Sequence, residues 1–198
     1  MEMTDRNQRQ IRSLAQKFET READGNLYID CYFSVFDEPY LLWDDAYELI
    51  KPGAFAECLE QDVRALTNHD TTFVLGRTRA GTLALKEDNH GLWGSVTINR
   101  DDSDAMNLYA RVQRGDVNQC SFGFNIERER FIDLGGGKCR WEIEKVNPLY
   151  EVSICTFPAY EGTSAVARMQ QLETIKQRQA QAWRESMKSR LEATKHGT

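Results

Sequence analysis

The sequence predicts an α+β fold, a mainly antiparallel β-barrel or sandwich carrying helices. Three observations predict it. Short runs of alternating apolar and polar residues recur through the middle of the chain, the period of a half-buried strand. Turn signals at Gly81, Asn89-His90-Gly91 and Gly135-Gly136-Gly137 punctuate those runs. A single well-marked helix lies between them, capped at both ends. Many strands with few interposed helices bury their apolar faces sheet on sheet or by closing on themselves.

The elements follow in chain order. Residues 1–23 form a polar segment ahead of the domain, with Gln, Arg and Asn prominent, of which 1–20 read as frayed or loosely helical. Residues 27–36 carry β-branched and aromatic side chains between Gly25 and Pro39, as a strand does. Pro52-Gly53-Ala54 precedes a short helix in which Phe55, Cys58 and Leu59 share one face. Residues 63–67 read as a strand delivering Asn68-His69-Asp70. A meander over 72–78, 82–86 and 92–99 comes next.

The helix begins at Asp101-Asp102-Ser103-Asp104, which supplies a cap and first-turn acids. Ala105, Leu108, Tyr109 and Val112 then fall at i, i+3, i+4 and i+7, and Gly115 ends it. Strands are predicted over 120–130, 138–145 and 149–157. Beyond Pro158 the composition turns to Gln, Arg, Glu, Ala and Lys, with Val166, Met169, Leu172, Ile175, Trp183 and Met187 at roughly helical spacing. The predicted organisation is a polar segment over 1–23, a domain over 24–160 and a helical tail over 161–198.

Bulk properties narrow the function. A chain of 198 residues with 40% hydrophobic and 10% aromatic content suits one ordinary core with appendages. The net charge of −6, with basic residues scattered, argues against nucleic acid or an anionic membrane as partner. No apolar run reaches the roughly 18–20 residues that cross a bilayer, and the N-terminus lacks the apolar stretch of a secretory signal. A cytoplasmic setting is the default. The five cysteines (Cys31, Cys58, Cys120, Cys139, Cys155) form no C-x-x-C pair, and the histidines at 69, 90 and 196 show no H-x-x-x-H spacing. Neither a disulfide framework nor a metal or other cofactor is expected.

Strand parity points to the chemistry. Alternate side chains of a strand face opposite sides of its sheet. Cys120, Phe122, Phe124 and Ile126 share one face, which must enter the core, and Ser121, Gly123, Asn125 and Glu127 share the other. Ser121 is therefore displayed opposite the aromatic face, and Gly123 clears space beside its hydroxyl for a substrate backbone. Cys120, grouped with large apolar side chains, reads as a buried inert thiol and not as the nucleophile.

Around residue 152 the same parity sets Val152 and Ile154 toward the core and Glu151 on the side of Ser121. A carboxylate there could accept from a histidine Nδ1–H and fix its tautomer. Asp70, adjacent to His69, is the rival, but neighbours on an extended strand point apart. His90 lies in a hairpin turn and His196 in the polar tail, which leaves His69 as the candidate base. The pairs Asp44-Asp45 and Asp101-Asp102 do not flank a bond as two glycosidase carboxylates would.

Several segments together resemble one family. Thr67-Asn68-His69-Asp70, Val74-Leu75-Gly76-Arg77-Thr78 and Gly81-Thr82-Leu83 are similar to the histidine region of tailed-phage prohead maturation proteases. Arg114-Gly115-Asp116 and Cys120-Ser121-Phe122-Gly123-Phe124 resemble their serine region, and Glu151-Val152-Ser153-Ile154 with Phe157-Pro158-Ala159-Tyr160 resembles the closing strand. Pro52-Gly53-Ala54-Phe55 is a further landmark, so the likeness spans residues 25–165. Cys120 stands where an ordinary small or apolar residue would be expected.

The resemblance implies a fold related to the herpesvirus assemblin protease, a β-barrel surrounded by helices. It implies a serine endopeptidase with Ser121 as nucleophile, His69 as base and Glu151 as third member. Its substrates would be the major capsid protein or its scaffold segment, and the protease itself, inside the immature procapsid in the bacterial host cytoplasm. The tail has two readings: an amphipathic helix packing on the domain or on a second copy in a homo-oligomer, or a targeting segment later removed. The alternative function is a catalytically inactive capsid-assembly or scaffold module of the same fold. A hydrolase using Cys120 or a carboxylate pair is a further rival.

Overall fold

The computed structural model describes residues 9–158 and 162–195. Contacts divide the chain into two compact units, Met1–Glu161 and Gly162–Thr198. The second unit is the helix Gly162–Lys195, and its described side chains beyond residue 175 are exposed.

The first unit holds, in chain order, β1 (Gln10–Ala15), β2 (Glu19–Ala23), β3 (Asn26–Val35), β4 (Tyr40–Trp43), β5 (Ala46–Ile50), β6 (Arg64–Thr67), β7 (Asp70–Arg77), β8 (Leu83–Glu87), β9 (Gly91–Ile98), α1 (Ser103–Arg114), β10 (Gln119–Gly135) and β11 (Lys138–Cys155). One sheet runs β1-β10-β11-β5-β4, with β6 pairing to β11 and β7 to β6. The other runs β2-β3-β9-β8. Most neighbours are antiparallel, but β11 is flanked in parallel by β5 over Cys139–Ile143 and by β6 over Glu151–Ile154.

The core is where the apolar strand faces meet. Phe33, Phe55, Leu92, Phe124 and Ile154 are all at most 1% exposed. Phe122 stacks on Phe124 and meets Phe55 edge-on, with centroids 4.7 and 5.6 Å apart. Close approach is built in at Gly94, where a Cβ would fall 2.6 Å from the Phe33 ring. Helix α1 buries Ala105, Leu108, Tyr109 and Val112, the four residues its spacing singles out. Asp102 accepts from the Asp104 and Ala105 amides at its start, and Gly115 closes it at φ 88°.

The mixed α+β class holds, but the sheets do not close into a barrel among the described residues. The larger sheet curls instead. Arg12 on its first edge strand is salt-bridged to Glu48 on β5 and lies 5.7 Å from the Tyr40 ring on β4, the strand at the far end of the β1-to-β4 path. Side chains bridge the opening that backbone pairing would have closed.

Other expectations change with the pairing. Residues 10–23, predicted to lie outside the domain and, up to residue 20, to be frayed or loosely helical, form β1 and β2. Their polar sequence suits edge strands, whose partners are supplied by β10 and β3. Residues 55–59 form successive turns, not a helix, although Phe55 and Cys58 are fully buried. The two strands predicted over 138–145 and 149–157 are one continuous strand, β11, which passes through a cis Asn147–Pro148 bond.

Candidate active site

His69 sits at the tip of the β6–β7 hairpin. Thr67 pairs with Asp70, and the two residues between them, Asn68 and His69, have φ of 52° and 61°. Positive φ at both central positions is what a two-residue hairpin of the tightest type requires, and Asn and His tolerate it better than most residues. The tip is fastened to β11. The Asn68 amide donates to the Ile154 carbonyl at 3.0 Å, the Asn68 Oδ1 accepts from the Thr156 amide at 2.8 Å, and the His69 amide donates to Ser153 Oγ at 3.3 Å. Parallel pairing of β6 with Glu151–Ile154 brings the turn to this part of β11.

The ring then meets Glu151, with His69 Nδ1 2.8 Å from Glu151 Oε1. The carboxylate is almost wholly buried and has two more donors: Ser153 Oγ–H reaches Oε2 at 2.6 Å and the Arg9 guanidinium reaches Oε1 at 2.6 Å. Burial works to raise the Glu151 pKa. The His69 hydrogen bond and charge, with the Ser153 and Arg9 hydrogen bonds, outweigh it and hold the carboxyl below its ordinary value. An ionised Glu151 fixes the proton on Nδ1 and leaves Nε2, which faces Cys155 Sγ at 3.7 Å, as the unprotonated nitrogen.

Gly123 makes room for this cluster. A Cβ there would lie 2.4 Å from Glu151 Oε1 and 2.6 Å from Arg9 Nε. The space that parity assigned to a substrate backbone is therefore filled by the carboxylate and the guanidinium.

Ser121 is next to the cluster on the same face of the sheet. It is in register with Ser153 on β11 and with Ser13 on β1. Its surroundings differ from expectation: the hydroxyl is covered, with no exposed surface, because β1 lies along β10. Ser121 Oγ donates to the Arg12 carbonyl at 2.8 Å and accepts from Ser13 Oγ at 3.0 Å. No hydrogen bond joins Ser121 to His69 among the described residues. Ser121 and the His69–Glu151 pair thus lie on one face of the sheet, with the hydroxyl bonded to β1 and the ring to Glu151.

The rivals fall elsewhere. Asp70 accepts from the Thr72 amide and hydroxyl at 2.8 and 2.6 Å, bonds that lower its pKa, whereas the ring's carboxylate partner is Glu151. Cys120 is buried with its Sγ 3.1 Å from the Tyr32 carbonyl. Cys155 Sγ lies 3.7 Å from His69 Nε2, but burial and the charge of Glu151 push its pKa up to about 12, so it stays a thiol. His90 packs edge-on against Tyr32 at 4.5 Å, and Asp102 caps α1. His196 lies outside the described residues.

Arg9, Ser13 and Ser153 join the site as unexpected partners. Ser153 was legible, because it shares the Glu151 face two residues on. Nothing local marked Arg9 or Ser13, whose roles depend on β1 finding β10.

The profile of the caudovirus prohead serine protease family matches residues 15–178, most of the chain. The chain belongs to that family. Among relatives of the prohead serine proteases, the prohead protease of Enterobacteria phage HK97 is 30% identical over 151 residues, covering 73% of this chain. The chain spans 62% of the length of that relative. Among solved structures, the bacteriophage T4 capsid assembly protease aligns over 76% of this chain and 98% of its own, with 15% identity and a TM-score of 0.47.

Proposed function

We propose that the chain is a serine endopeptidase of phage procapsid maturation, cutting scaffold or major capsid protein segments and itself within the immature shell in the host cytoplasm. The observation that carries the reading is the buried Glu151 held 2.8 Å from His69 Nδ1 on the face that Ser121 shares. In the proposed mechanism, His69 Nε2 takes the Ser121 proton as Oγ attacks a peptide carbonyl. Glu151 stabilises the imidazolium, which then protonates the leaving amine, and water hydrolyses the acyl-enzyme. Burial of Glu151 strengthens its attraction for the developing imidazolium, since little solvent screens it.

The relative's name supports the biological setting, and the family supports proteolysis. A second reading, an inactive assembly module, draws on the buried Ser121 and its missing bond to His69. Coexpression with a scaffold-bearing capsid protein separates the two. The wild-type chain should process the substrate, and Ser121→Ala, which removes one buried oxygen, should leave it intact. Equal processing by both would exclude Ser121 as nucleophile, and no processing by either would favour the module.

A further inference from the structure

The contact between β1 and Ser121 has the form of a bound peptide. β1 is an extended segment added to the open edge of β10, in the antiparallel register Ile11↔Gly123, Arg12↔Phe122, Ser13↔Ser121. Strand addition is a common way for a protein to hold a peptide, with the backbone supplying affinity and alternate side chains supplying selectivity. The Arg12 carbonyl oxygen is 2.8 Å from Ser121 Oγ, so the Arg12–Ser13 peptide bond is the one presented to the hydroxyl.

The Arg12 side chain passes to the opposite face of β10, where a receptor for it is built. Glu48, 1% exposed, accepts from Arg12 Nε at 2.5 Å and from its terminal nitrogen at 2.9 Å, a two-pronged match of guanidinium to carboxylate. The Arg12 guanidinium also lies 5.7 Å from the Tyr40 ring and 5.8 Å from the Phe124 ring, both favourable to a cation. A cavity of about 210 Å³ opens beside it, lined in part by Glu48, Ile50 and Phe122.

We infer that the β10 edge and the Glu48 pocket form the substrate cleft, selecting an extended peptide with a basic residue before the scissile bond, and that β1 occupies it as the chain's own first substrate. This rests on the protease reading above. Ser121 Oγ forms a bond to the Arg12 carbonyl carbon while His69 Nε2 takes its proton. The Arg12–Ser13 bond breaks, and the Ser13 nitrogen leaves with that proton. Water then hydrolyses the Arg12 ester, restoring the Ser121 hydroxyl and leaving an Arg12 carboxylate. Release of the segment ending at Arg12 frees the cleft and also removes Arg9 from Glu151, so that the carboxylate keeps only His69 and Ser153 as donors.

The full-length chain is incubated with a mixture of unfolded peptides, and its own N-terminus and every new peptide end are read by mass spectrometry. The inference expects a product beginning at Ser13 and cuts after Arg or Lys, both absent with Ser121→Ala. Arg12→Glu should slow the self-cut at least about 100-fold, since it sets two buried carboxylates together. Arg12→Lys should keep the self-cut, and Arg12→Glu combined with Glu48→Arg should restore it. A thermal melt checks that each variant folds. Ser121-dependent cuts after uncharged or acidic residues, with Ser13 never exposed, would overturn the inference and leave the protease reading standing. No Ser121-dependent cut at all would sink both.

Discussion

Glu151 is the residue on which the proposed chemistry turns. It has three donors on two oxygens, from His69, Ser153 and Arg9, and almost no solvent. Glu151→Gln keeps the shape but can no longer hold the imidazolium, and its amide can force the wrong tautomer. We expect kcat to fall by about 10²–10⁴-fold, measured on a capsid-derived peptide. The same group links stability to pH. A carboxyl held below its ordinary value of 4.5 stabilises the fold fully above that value and loses this contribution as pH falls through the depressed value. Urea midpoints from pH 6 down to pH 3 should therefore fall more for the wild type than for Glu151→Gln; parallel curves would refute the linkage. Parity put Glu151 and Ser121 on one face from sequence alone, because alternation is a local rule. The cover over Ser121 was not legible, since it depends on a strand more than a hundred residues away.

The β6–β7 hairpin is the element that aims His69 at Glu151. Its strands were legible from their composition, and their predicted and observed bounds differ by only a residue or two. The positive φ at Asn68 and His69 was not predicted, because their sequence marks a turn without fixing its type. Asn68→Val puts a β-branched side chain where φ is 52° and removes the Asn68 Oδ1 acceptor for the Thr156 amide. The backbone strain costs about 1–2 kcal/mol, and the loosened tip should lower kcat more than it raises KM. Steady-state kinetics beside a chemical melt tests this, and an unchanged kcat with reduced stability would mean that the turn supports the fold but not the base. Helix α1 was the most legible element of all. Its caps and its apolar spacing are local, and they agree with its packing.

Across the whole molecule, the aromatic face of β10 ties the curled sheet to the core. Phe124 is fully buried, stacks on Phe122 and faces the Arg12 guanidinium. Phe124→Ala should cost about 3–5 kcal/mol from lost burial and the cavity left behind, read by chemical denaturation. A loss under 1 kcal/mol would mean that the sheet repacks. The sequence identified the class and the central strands and left barrel or sandwich open; two sheets, the larger open and curled, are found instead of the barrel that the family resemblance implied. Closure depends on which strands meet at the edges, and β1, β2, β4 and β5 are short segments whose pairing partners supply most of their definition. The parallel seating of β5 and β6 on β11 is equally non-local, and it is what brings the His69 turn to Glu151.

The most direct test of the central claim is to label the incubated chain with a fluorophosphonate and map the modified peptide by mass spectrometry. The account predicts one modification, on Ser121, lost in His69→Ala and sharply slowed in Glu151→Gln. Modification of another serine with Ser121 untouched, or labelling of Ser121 at the same rate in His69→Ala, would contradict it.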